Sequence, residues 1–129
     1  MRLTPLDEQR YAKVLDICLG LPEARAVPTG YFKSDTTFFV RKKKFAYHLV
    51  DVDHDGRVQL NVRAAPGSNQ ALIESDPERF FWPGYIGMHG WVGIQLDLPT
   101  IDWSQIGEML VASYTLQAPK TLVRQLEAF

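Results

Sequence analysis

Four consecutive cations, Arg41-Lys42-Lys43-Lys44, are the residues best suited to chemistry with a partner. Phe39, Phe45 and Tyr47 stand on either side of them, in segments that read as strands. Cations at a hairpin tip neutralise phosphates, and such contacts position a protein on a duplex without reading its bases. Arg63 and Lys120 are further cations expected to support this patch, and Lys33 can extend it. The same residues also suit a plain solvated turn, since charged strand edges discourage aggregation.

A second group is aromatic. Trp82, Tyr85, His89 and Trp91 fall in one glycine-studded loop with Pro83, Gly84, Gly87 and Gly90. Glycines allow close approach and aromatic faces offer stacking, so the loop is a candidate ligand or nucleobase platform. Its competing reading is structural: Trp91 starts the core-facing side of a strand, and His89 satisfies a backbone group. A third group, Asp51, Asp53, Asp55 and Gly56, opens like a calcium loop. Such a loop needs a bidentate Glu at its twelfth position, and Val62 stands there. Asp55-Gly56 reads better as a hairpin turn.

Nucleophile elbows, phosphate loops and dinucleotide fingerprints are missing from the sequence, His48 lacks a Cys or carboxylate at ligand spacing, and His54 reads as solvated at the acidic turn. The expectation is therefore no catalytic residues, no metal and no cofactor. Fourteen Lys+Arg against fifteen Asp+Glu give a net charge of −1, so any polyanion binding must be local and weak, without help from the molecular field. Cys18 stands alone, which excludes an internal disulfide and suits a small buried apolar group. No signal peptide or membrane span is apparent, and a cytoplasmic setting is expected.

The elements that must position these groups can be read in order. Residues 1–129 fit one domain. Thr4-Pro5 opens a helix that Gly20 and Pro22 end, with Tyr11, Val14, Leu15, Cys18 and Leu19 on its inner face. Residues 23–35 read as loop. Three strands follow, 36–40, 45–52 and 57–64, joined by turns at 41–44 and 53–56. A short helix covers 66–75, a fourth strand 91–98, and Asp102 caps a helix to about Gln117. Pro119 begins a last helix whose apolar face is Leu122, Val123, Leu126 and Phe129. The fold class is α+β, an antiparallel β-meander sheet packed by helices on one face. Its two charged turns close opposite ends of the middle strand, about 25–30 Å apart, so an anionic partner should meet only the lysine end.

Several segments in order resemble the MmcQ/YjbR family: Leu21-Pro22, Phe38-Phe39-Val40, Lys44-Phe45-Ala46, Leu60-Asn61-Val62-Arg63, His89-Gly90-Trp91, Ser113-Tyr114 and Ala118-Pro119-Lys120. The resemblance spans nearly the whole chain. It implies a double-wing fold, in which hairpins project beside helices, and DNA binding by analogy of shape. Together the residues and the resemblance lead us to expect a non-catalytic protein. Its partner would be DNA, held weakly and salt-sensitively at Arg41–Lys44, Arg63 and Lys120. The alternative is a protein- or small-molecule-binding module using the Trp82–Trp91 loop.

Overall fold

In a computed structural model that describes residues 3–52 and 54–127, six strands form one antiparallel sheet. Its elements are α1 (Pro5–Leu19), β1 (Ala24–Pro28), β2 (Thr36–Val40), β3 (Lys43–Val50), β4 (Val58–Arg63), α2 (Ser68–Ser75), β5 (Phe80–Phe81), β6 (Trp91–Gln95), α3 (Trp103–Gln117) and α4 (Lys120–Glu127). The strand order is β1-β2-β3-β4-β6-β5, and a 3₁₀ turn, Gly84–His89, precedes β6. The expected meander is present, widened by a strand at each edge. Asp53 and Phe129, which figured in the expected acidic turn and last helix, lie outside the described residues.

One sheet face carries the core. Phe38, Ala46, Val62 and Val92 align across four strands, followed by His48, Leu60, Ile94 and Phe80 one step along. Against them lie Val14 and Cys18 from α1, Ile106, Leu110 and Tyr114 from α3, and Leu122 from α4. Each fully buried large side chain contributes about 1.5–3 kcal/mol, so this layer dominates stability.

The helix caps follow the sequence. Thr4 and Asp7 form a reciprocal capping box, and the Asp102 carboxylate accepts from the Gln105 amide at 3.0 Å. Two expectations fail. Leu19 is exposed, and Arg10 is buried in its stead. Its guanidinium donates to the carbonyls of Leu96 and Leu98 at 2.7 Å each and to Pro99 at 3.3 Å, which makes burial of the charge tolerable. Residues 24–28 are also not loop but the edge strand β1. Pro28 is compatible with it because an edge strand leaves outward-facing N–H positions without ladder partners.

A β-bulge sits between β2 and β3. Phe38 pairs with Ala46 and Phe39 pairs with Lys44, leaving Phe45 as the extra residue. Phe45 turns into the core edge-on to Tyr114, with ring centroids 5.4 Å apart. Its carbonyl, outside the ladder, accepts from the Ser113 hydroxyl at 2.6 Å. The same hydroxyl accepts from the Arg63 amide at 2.9 Å, so one buried serine of α3 secures two strands. The bulge decides where Lys44 goes. Without it Lys44 would share the helix-covered face with Ala46; with it, Lys44 joins Phe39 and Tyr47 on the other face.

Candidate functional site

Of the cations selected from sequence, Arg41, Lys42, Lys43, Lys44 and Arg63 gather at one end of the sheet; Lys33 does not extend the patch, because it precedes Thr36 at the other end of β2. Arg41 and Lys42 form a two-residue turn, tighter than the four-residue connection expected, and β3 already starts at Lys43. Gln117, the last residue of α3, joins this turn to β4: its Nε2 donates to the Lys44 carbonyl at 2.9 Å and its Oε1 accepts from Arg63 at 2.8 Å. Lys120 follows two residues beyond Pro119's neighbour Ala118 at the head of α4. A shallow recess bordered by Arg41, Lys42, Lys43, Gln117 and Pro119 opens between hairpin and helix.

These cations are not equivalent. Arg41 is held by Glu23 through two hydrogen bonds of 2.9 and 3.0 Å. The guanidinium holds the Glu23 carboxyl below its usual range through that hydrogen bond, and the carboxylate in turn raises Arg41. Arg25 donates to the Arg41 carbonyl at 2.7 Å, fixing the turn from the edge strand. Lys42 and Lys43 are exposed and form no ion pair among the described residues. Lys44 rests its ammonium 5.9 Å from the centre of the Tyr47 ring. Free positive charge at this end therefore rests on the lysines and Arg63, with Arg41 already neutralised.

At the far end of β3 the acidic turn is occupied with itself. Asp51 accepts from the Gly56 amide at 2.7 Å, Asp55 from the Arg57 amide at 3.0 Å, and Arg57 pairs with Asp55 at 3.5 Å. This is hairpin chemistry, as the Asp55-Gly56 step suggests.

The aromatic loop does not assemble as one platform. Trp82 lies flat on Gly87; a Cβ there would stand 2.4 Å from the indole, so only glycine allows the contact. Trp91 is buried, as the structural reading has it, but on the face away from the helices, 5.2 Å from Tyr47. Its carbonyl and that of Gly87 both accept from the Asn69 amide, at 3.1 and 3.0 Å. His89 departs from expectation: it is exposed and stacks edge-on to Tyr85 at 5.2 Å instead of bonding a backbone group. Asn69, invisible as a site residue in the sequence, is the buried clamp of this region.

A cavity of about 580 Å³ lies where the uncovered sheet face meets residues 83–86. Its floor comes from alternate residues of β2, β3 and β4: Thr37, Phe39, Lys44, Tyr47, Leu49, Gln59 and Asn61. Gln59 and Asn61 were missed by reasoning from sequence, because polar residues alternating on a strand read as a solvated face. Each is only 2% exposed, and neither amide finds a hydrogen-bond partner for Gln59 Nε2 or Asn61 Oδ1.

Cys18 is buried in the core, and burial pushes its thiol up to about 12, which removes it as a nucleophile at neutral pH. No described helix is long and apolar enough to cross a membrane.

The YjbR family model matches residues 19–116, a span holding the whole sheet and nearly all of α3. Among solved structures, the crystal structure of Deinococcus radiodurans protein DR2400, of family domain DUF419, superposes with a TM-score of 0.61 at 23% identity. The match covers 80% of this chain and 74% of that one, and what it shares is the fold. No curated protein matches the chain.

Proposed function

The chain belongs to the YjbR family, and we propose that it is a non-catalytic, cytoplasmic protein that binds DNA through the basic end of its sheet. The observation that supports this is convergence. Lys42, Lys43 and Lys44 precede Arg63 by nineteen or more residues in sequence, yet Gln117 bonds both the Lys44 carbonyl and the Arg63 guanidinium, with Lys120 three residues after it. Such a cluster supplies phosphate contacts and no base-edge contacts, so binding is tolerant of sequence and sensitive to salt. The near-neutral chain keeps it weak. A lone, buried thiol suits a reducing compartment.

The test is a titration of isotopically labelled protein with a short duplex at low and near-physiological salt. Resonances of residues 42–44, Arg63 and Lys120 should shift, and the shifts should fade as salt rises. Replacing Lys42, Lys43 and Lys44 by Ala should reduce the slope of log K against log salt by up to about 3, at roughly 0.9 per lost phosphate contact. An unchanged slope sinks the reading.

A second reading is a protein- or small-molecule-binding module at the Trp82–Trp91 loop, favoured by the exposure of Tyr85 (76%) and Met88 (67%). A ligand there should change tryptophan fluorescence and ignore the lysine substitutions.

A further inference from the structure

The uncovered sheet face holds a built polar site in an otherwise aromatic setting. Two primary amides, Gln59 and Asn61, lie two residues apart on β4 and point to the same face, about 7 Å apart along the strand. Both are almost wholly buried, and both keep an unsatisfied polar atom, Nε2 of Gln59 and Oδ1 of Asn61. A buried amide atom without a partner costs free energy that a bound partner would recover. Two side by side, with complementary hydrogen-bonding groups and not joined to each other, match a molecule that carries an acceptor beside a donor.

The surrounding groups narrow its class. Phe39 and Tyr47 line the floor, and Tyr85, mostly exposed, is a third aromatic of the lining. Aromatic faces suit a flat ring. Lys44, delivered to this face by the bulge, stands at the rim over Tyr47, where an anionic tail would meet it. A cavity of about 580 Å³ is of a size that holds small ligands.

We propose that this cavity binds a lactam heterocycle carrying a phosphate, the chemistry of a uracil-, thymine- or guanine-type nucleotide. The ring carbonyl accepts from Gln59, the ring N–H donates to Asn61, the ring stacks on Tyr47, and the phosphate meets Lys44. This chemistry is offered both by a free mononucleotide and by one base of a single strand. The inference does not rest on duplex binding: Lys44 would serve both sites, but Lys42 and Lys43 border the recess beside Gln117 and not this cavity, and Gln59 and Asn61 belong to the cavity alone.

The side-chain amide resonances of Gln59 and Asn61 are the direct readout. Uridine monophosphate and a short oligothymidylate are added separately to labelled protein. Shifts of both amides and of Tyr47 with the mononucleotide assign a free nucleotide; shifts with the oligomer alone assign a base of a strand. Cytidine monophosphate, which lacks the ring N–H beside its carbonyl, should bind at least about tenfold more weakly. Replacing Gln59 and Asn61 by Leu should weaken uridine monophosphate or oligomer binding by about tenfold or more, with the melting temperature as the check on folding. Amide resonances unmoved by either ligand at millimolar concentration, meaning that only water fills the cavity, would overturn the proposal. So would full binding by a folded Gln59→Leu/Asn61→Leu variant.

Discussion

His48 shows how much one residue's surroundings decide. The sequence places it on a strand with nothing nearby to explain it. In the fold it is 1% exposed, its Nδ1 donates to the Ser34 carbonyl at 2.8 Å, and its Nε2 faces no donor. Burial drives its pKa down from 6.5 to about 4, against the Ser34 hydrogen bond and the charges of Asp35 and Asp7, which pull upward. The folded value is below the unfolded one, so between pH 6.5 and 4 the unfolded chain binds a proton that the folded chain refuses. The stability His48 contributes is present above about pH 6.5 and is lost as pH falls toward 4, by up to about 3 kcal/mol. Urea unfolding at pH 7, 5.5 and 4.5 should show this slope in the wild type and a flatter one in His48→Gln. Equal slopes would place the acid sensitivity elsewhere. Gly93 is a second such residue: a Cβ there would stand 2.3 Å from the Phe81 ring. Gly93→Ala should destabilise by about 1–3 kcal/mol, visible as a lowered Tm, because the ring must leave its place.

Among the elements, the joint between α3 and the sheet is the most constrained. Ser113 answers two backbone groups that the bulge leaves outside the ladder, the Phe45 carbonyl and the Arg63 amide. Ser113→Ala strands both in the interior and should cost about 2–4 kcal/mol, measured by chemical denaturation. Hydrogen exchange should quicken first at Arg63 and its neighbours, next to the basic end. Protection unchanged there would mean that water replaces the hydroxyl. The bulge itself leaves a trace in the sequence: Phe45-Ala46 are adjacent and both buried, which breaks the alternation of a regular strand. An alternating pattern alone could not place Lys44 on the cavity face.

At the scale of the whole molecule, Arg10 ties the first helix to the chain that enters the third. Its three hydrogen bonds to Leu96, Leu98 and Pro99 span nearly ninety residues of sequence. Arg10→Met keeps the apolar stem and removes the donors, and it should lower stability by about 2–4 kcal/mol while leaving helix content intact by circular dichroism. A melting temperature within a degree of the wild type would show that those carbonyls need no donor. Charge is also arranged at this scale. The lysine turn and the Asp turn close opposite ends of the eight-residue strand β3, about 25 Å apart, so the polarity expected from sequence survives in the fold. What changes is its strength: Glu23 cancels Arg41 and Arg57 answers Asp55, which leaves the lysines and Arg63 as the free positive charge.

The sequence by itself determined the family, the α+β class, the central meander, both well-capped helices and the basic turn. Those features rest on local physics: side-chain periodicity, caps, turn glycines and runs of like charge. Tertiary structure decided what depends on partners distant in the chain. It made residues 24–28 a strand by supplying β2, buried Arg10 by supplying carbonyls from the far end of the sheet, and separated Trp82 from Trp91 by packing one on glycine and the other on Tyr47. It also turned Gln59 and Asn61 from an ordinary polar alternation into two buried amides, because only the strands on either side and the loop above remove their water.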